Sequence, residues 1–75
     1  MDWKEVGYWL PSSWIFGDGE LGCCVHVNCD GKWEIDVVIY NICHRLLPKD
    51  SLEEAKVNAE VHFYKLYEEY HEENN

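Results

Sequence analysis

Length, composition and charge exclude several classes of protein. Seventy-five residues are enough for one small domain, which we assign to 1–75. Fifteen Asp and Glu against six Lys and Arg give a net charge of −9, which disfavours direct binding to nucleic acid or to an anionic membrane. No leader peptide is recognisable, and no apolar run approaches the roughly 20 residues that span a bilayer. We therefore expect a cytoplasmic protein whose four cysteines are reduced thiols.

The first half of the chain predicts strands separated by turns. The N-terminal 20 residues are aromatic and interrupted by glycine and proline, which leaves one short strand over 13–16. Two longer strands are expected over 21–28 and 32–42, each rich in β-branched and aromatic side chains.

The register of the second hairpin follows from the side chains it would bring together. A two-residue turn would place Val27 opposite Glu34, whereas a three-residue turn over 29–31 places Val27 opposite Trp33. Gly31 fits the last position of the longer turn, where the backbone is left-handed. The longer turn gives one face that is apolar throughout, made of Leu21, Cys23, Val25, Val27, Trp33, Ile35, Val37 and Ile39.

A helix is predicted over 51–70, after a loop that contains Pro48. Ser51 and Glu54 match the capping box, and 71–75 are expected to fray because glutamates oppose the helix dipole at a C-terminus. The apolar side chains at helical spacing are Leu52, Ala55, Ala59, Phe63, Leu66 and Tyr70. The predicted fold is α+β: a three-stranded antiparallel meander with one C-terminal helix packed on its apolar face (βββα).

The segment SLEEAKVNAEVHFYKL, which follows a tryptophan-containing hairpin, resembles small ββ(β)α accessory proteins of tailed phages and prophages. These carry a T/S-L-E-E-A-K-x-x-A-E helix start after the sheet, and the resemblance covers about 21–66. The aromatic first 20 residues and the cysteines depart from that family. The resemblance implies a phage origin and an accessory role in the host cytosol, and it carries over no catalytic residue.

Candidate metal ligands lie on the polar face of the predicted sheet. Cys24 is expected across from Asp36, and His26 across from Glu34, with Cβ atoms about 4.5–5.5 Å apart. Zinc accepts thiolate, imidazole and carboxylate, but the chain has no C-x-x-C and no loop that would wrap an ion. We therefore predict no bound metal or other cofactor. The alternative is a metal- or redox-responsive module built on Cys24, His26, Cys29 and Cys43.

Catalysis finds little support in the sequence. There is no G-x-S-x-G, no phosphate-binding glycine loop and no H-E-x-x-H. An activated cysteine needs an electropositive environment, and this chain is acidic. The carboxylates of the helix are mostly adjacent in sequence and diverge by about 100°, so they do not converge on one bond. We predict a protein that is not an enzyme.

The face of the helix opposite the core is the most informative surface. Val57, Val61 and Tyr64 repeat at i, i+4 and i+7, the pattern of a helix that docks against a partner. Acidic residues frame them: Glu53, Glu54, Glu60, Glu68 and Glu72.

These features predict a small acidic phage-type protein that binds a basic surface of a host protein. The carboxylates would occupy positions where a nucleic-acid-handling or defence protein expects phosphate, so that the chain acts as an inhibitor or nucleic-acid mimic. A homodimeric structural module, with helices packed through the same outer face, remains an alternative.

Overall fold

An antiparallel sheet carries one C-terminal helix on one of its faces, which confirms the α+β prediction. The computed structural model describes residues 2–6, 13–17 and 20–73. Over these residues the sheet has five strands in the order β1-β2-β3-β4-β5, so the prediction of three strands was wrong. The elements are β1 (Lys4–Val6), β2 (Ser13–Gly17), β3 (Leu21–Val27), β4 (Trp33–Ile39), β5 (Ile42–Lys49) and α1 (Leu52–Glu73).

The hairpin between β3 and β4 has the predicted register. Val27 pairs with Trp33, and the N–H of Asn28 donates to the carbonyl of Lys32 at 2.8 Å across a three-residue turn. Gly31 closes this turn with φ 78°, in the left-handed region that glycine adopts at no steric cost. The side-chain Oδ1 of Asn28 accepts from the N–H of Asp30 at 2.9 Å, which stabilises the turn further.

The predicted strand over 32–42 is interrupted by a second turn. Ile39 pairs with Ile42, and Tyr40 and Asn41 between them have φ values of 47° and 68°. Two positive φ values in a two-residue loop are the geometry of a type I′ hairpin. The chain therefore reverses at Tyr40-Asn41 and forms β5 in a segment that we predicted to be partly strand and partly loop.

β1 is the other strand that the sequence did not reveal. Its three residues pair antiparallel with β2, with Glu5 opposite Trp14. A segment this short shows no alternation of apolar and polar residues, so its pairing depends on the neighbouring strand. β2 extends to Gly17, one residue beyond the predicted end.

The core lies between the helix and the two central strands β3 and β4. Its buried side chains are Cys23, Val25, Ile35, Val37, Ile39, Ala55, Ala59 and Phe63. Ala55 and Ala59 are fully buried, because small side chains let the helix approach the sheet closely. Predicted and observed core faces therefore agree for both the hairpin and the helix.

The helix begins as predicted and ends later than predicted. The Oγ of Ser51 accepts from the N–H of Glu54 at 3.2 Å, which is the N-terminal half of the capping box. The helix continues to Glu73, beyond the expected end at residue 70. Tyr67 and His71 contribute to this extension, since their ring centroids lie 4.3 Å apart. Of the segment 71–75 that we expected to fray, 74–75 lie outside the described residues.

Candidate protein-binding surface

Contacts on one flank and on the sheet side fix which face of α1 points outward. On one flank, the indole Nε1 of Trp3 donates to Glu60 Oε1 at 2.6 Å, and Lys56 Nζ lies 3.8 Å from the centroid of the Trp14 ring. On the sheet side, Ala55 and Ala59 face β3 and β4 with no exposed surface. The helix is thus anchored to the N-terminal strands as well as to the core, and its rotation about its own axis is defined.

The outward face carries the three apolar residues that the sequence singled out. Val57 is 57% exposed, Val61 is 60% exposed and Tyr64 is 51% exposed. Because they stand at i, i+4 and i+7, they lie in one row along the helix, which we call the outer helix stripe. Single exposed apolar residues are ordinary, but a contiguous row on an otherwise charged helix is typical of a docking surface.

The predicted acidic frame of the stripe is only partly available to a partner. Glu53, Glu54 and Glu68 are exposed beside the stripe. Glu60 is half-buried and holds the indole of Trp3, so this carboxylate contributes to internal packing. Glu72 lies in the last turn of the helix, and its side chain is outside the described part of the chain.

The candidate metal ligands form separate pairs on the outer face of the sheet. His26 Nε2 lies 2.9 Å from Glu34 Oε2, and Asp36 Oδ1 accepts from Arg45 Nε at 3.0 Å. Cys24 stands opposite Asp36 in the ladder, as predicted. Among the residues that the structure describes, no three His, Cys, Asp or Glu side chains converge on a point that could hold an ion. The carboxylates of Glu34 and Asp36 are instead engaged by protein side chains, His26 and Arg45 respectively.

The cysteines lie apart, and two of them are poorly suited to redox chemistry. Burial, with smaller contributions from the charges of Glu60 and Cys24, raises the pKa of Cys23 to about 12, and its thiol lies 3.6 Å from the carbonyl oxygen of Ala59. Burial and then the charge of Asp36 raise the pKa of Cys24. Reactive cysteines need the opposite shift, because the thiolate is the nucleophile. All four cysteines are free thiols, with Cys29 and Cys43 exposed.

A groove between β5 and α1 is the feature that sequence reasoning missed. Its volume is about 330 Å³, and the side chains along it are Arg45, Leu46, Leu47, Lys49, Asn58 and His62. Leu47, on β5 beside the groove, is 81% exposed. This groove was invisible to the sequence because β5 was not predicted. The only signal for it was a run of ten residues, 40–49, without a single Asp or Glu.

The described helix is not long and apolar enough to cross a membrane.

Comparison with known proteins gives no match: neither a protein-family model, nor a curated protein, nor a solved structure is significantly similar to this chain. The resemblance to small phage proteins therefore stays a prediction.

Proposed function

We propose that this chain is a protein-binding factor whose outer helix face occupies a basic surface on another protein. The observation that carries the proposal is the outer helix stripe, three apolar side chains that are each more than half exposed on an acidic helix. Following the resemblance to phage accessory proteins, the target is a nucleic-acid-handling or defence protein of the host, and binding inhibits it by occupying the place of nucleic acid.

The two kinds of residue on this face have different tasks. Val57, Val61 and Tyr64 supply the affinity, since burying apolar surface contributes about 25 cal/mol per Å² and a few anchors carry most of the binding energy of an interface. The exposed Glu53, Glu54 and Glu68 attract a basic surface from a distance and set the orientation of docking. We expect the charged contribution to weaken with salt, and the apolar contribution to persist.

The rigidity and length of the helix suit it to a phosphate-binding cleft. Its 22 residues extend for about 33 Å at 1.5 Å per residue, and the helix is held on one flank by Trp3 and on its sheet side by the core. Because the helix backbone is already ordered, binding through it costs less conformational entropy than binding through a flexible segment would. Neither Glu53 nor Glu68 has an ion-pair partner among the described residues, so both carboxylates are available to external cations.

The test is affinity capture from a bacterial host lysate with wild-type and variant chains, at low and high salt. Val61→Glu and Tyr64→Ala should each reduce capture of a specific partner at least 10-fold, the effect of about 1.4 kcal/mol. Wild-type capture should also fall as salt rises. Both residues are exposed, so circular dichroism and the melting temperature should stay close to those of the wild type.

Lys4→Gln is the matched control, because it changes the net charge by the same amount as Val61→Glu at an exposed position on β1, away from the outer helix stripe. This control should retain the partner. Recovery of no specific partner at either salt concentration would count against the proposal. Equal losses in Val61→Glu and Lys4→Gln would show that net charge, and not the outer helix stripe, governs capture.

A further inference from the structure

β5 forms one edge of the sheet and is unusually open for an edge strand. It has eight residues, whereas β1 at the other edge has three. Natural edge strands are usually protected by proline, bulges or charge. Here Pro48 and an irregularity opposite Trp33 and Ile35 protect only the C-terminal half of β5. The half that begins at Ile42 has neither a proline nor an irregularity, and the guanidinium of Arg45 within it is already bound to Asp36.

The turn that begins β5 also determines which backbone groups point to the open edge. A two-residue hairpin closes on a hydrogen-bonded pair, here Ile39 with Ile42, and such pairs alternate along an antiparallel ladder. Ile42, His44 and Leu46 therefore direct their N–H and C=O groups to β4. By the same alternation, the N–H and C=O groups of Cys43 and Arg45 point away from the sheet.

We propose that this edge pairs with the same edge of a second copy of the chain, so that two sheets join into one across a two-fold axis. Only residues with outward backbone groups can form the new ladder, so Cys43 pairs with Arg45 of the partner subunit, and the reverse pair follows by symmetry. His44 then lies at the axis. This surface differs from the outer helix stripe, and the inference goes beyond the proposed function.

The side chains on the helix side of β5 complement one another in this register. Ile42, which is 50% exposed, would stand opposite Leu46 of the partner subunit, at the mouth of the groove between β5 and α1. The two-fold axis repeats this contact, so the dimer buries the exposed Ile42 of each copy. The Nε2 atom of His44 is also buried and has no hydrogen-bond partner within the described part of the chain. Pairing brings a second imidazole next to it.

Charge favours a second copy at this edge over a second copy at the helix. Segment 40–49 contains none of the 15 acidic residues and carries Arg45 and Lys49, so two chains of net charge −9 repel each other less when they meet here than when they meet at the helix. Docking through the outer helix stripe would instead bring Glu53, Glu54 and Glu68 of both copies together. The same charge asymmetry therefore assigns the helix to a basic partner and β5 to another copy of this chain.

Sedimentation and a directed disulfide test the proposal together. In a Cys29→Ser background, Arg45→Cys places a thiol opposite Cys43 of the partner subunit, at a Cα separation of about 5.5 Å that suits a disulfide. Oxidation should give a covalent dimer, and peptide mapping should find the bond between positions 43 and 45. Leu47→Cys in the same background is the control, because it is more exposed yet faces no cysteine across the axis.

Sedimentation should show a concentration-dependent dimer for the wild type. Arg45→Pro should abolish the dimer while keeping the fold, since it removes an N–H that points away from β4. Val61→Glu should leave the dimer intact. A wild type that stays monomeric at millimolar concentration would overturn the proposal and leave this edge to a foreign strand. A dimer that Val61→Glu breaks and Arg45→Pro does not would assign the interface to the helix, and would overturn it too.

Discussion

Two glycines with almost the same backbone conformation show how the surroundings of a residue decide its cost of substitution. Gly17 has φ 81° and Gly31 has φ 78°, so both need the left-handed region that a side chain disfavours. A Cβ at Gly17 would lie 2.2 Å from the carbonyl oxygen of Leu21, whereas a Cβ at Gly31 would meet nothing within 4 Å. Backbone atoms of β3 cannot move aside as a flexible side chain could.

We predict that Gly31→Ala lowers the free energy of unfolding by about 1–2 kcal/mol, the cost of left-handed backbone for a residue with a Cβ. Gly17→Ala should cost clearly more, about 3 kcal/mol or above, because a steric clash with the strand adds to the same strain. Urea unfolding of both variants measures the difference. Equal losses would contradict the close packing of Gly17 against β3.

At the scale of elements, the hairpin between β4 and β5 is where the structure departs from the predicted long strand. The sequence predicted one strand over 32–42, whereas in the structure the chain reverses direction at Tyr40-Asn41. Tyr40 packs against the end of the helix, with its ring centroid 5.5 Å from that of Tyr70. This contact explains why a tyrosine occupies a turn position that favours asparagine or glycine.

Substitutions at Asn41 distinguish a turn from a continuous strand. At φ 68°, glycine is tolerated and alanine is strained, so Asn41→Gly should be at least as stable as the wild type and Asn41→Ala about 1 kcal/mol less stable. In a continuous strand the order would be reversed, because glycine weakens strand interiors relative to alanine. Thermal unfolding of the two variants gives this order directly.

The sequence predicted the elements whose signals are local or strictly periodic. Alternation of apolar residues set the register of Val27 against Trp33, and the spacing of Ala55 and Ala59 identified the core face of the helix. β5 escaped prediction because Tyr40-Asn41 lacks the usual Asn-Gly or Asp-Gly signal and because Pro48 suggested a loop. Proline is tolerated there, since β5 is an edge strand.

The candidate site was predictable to a similar degree. Exposure of Val57, Val61 and Tyr64 follows from the periodicity of the helix alone. The engagement of Glu60 by Trp3 does not, because it joins residues that are 57 positions apart. It depends on β1, a strand too short to be recognised from its own residues.

At the scale of the whole molecule, charge is separated between two surfaces, the outer face of the helix and the β5 edge. Several basic side chains are already engaged: Arg45 with Asp36, Lys32 with Asp50, and Lys56 over the Trp14 ring. The exposed carboxylates of the helix keep their field toward solvent, while β5 contains no acidic residue. We infer from this distribution that a basic partner meets the outer helix stripe and that the β5 edge serves another contact.

Amide chemical shifts test this claim most directly. A ¹⁵N-labelled chain is titrated with a lysine-rich helical peptide whose apolar residues repeat at i, i+4 and i+7, and with a scrambled peptide of the same composition. We predict saturable shifts centred on Val57, Val61 and Tyr64 for the amphipathic peptide, with none along β5, and only weak, salt-sensitive shifts for the scrambled one. Equal effects of the two peptides, or shifts centred on the sheet, would contradict the account.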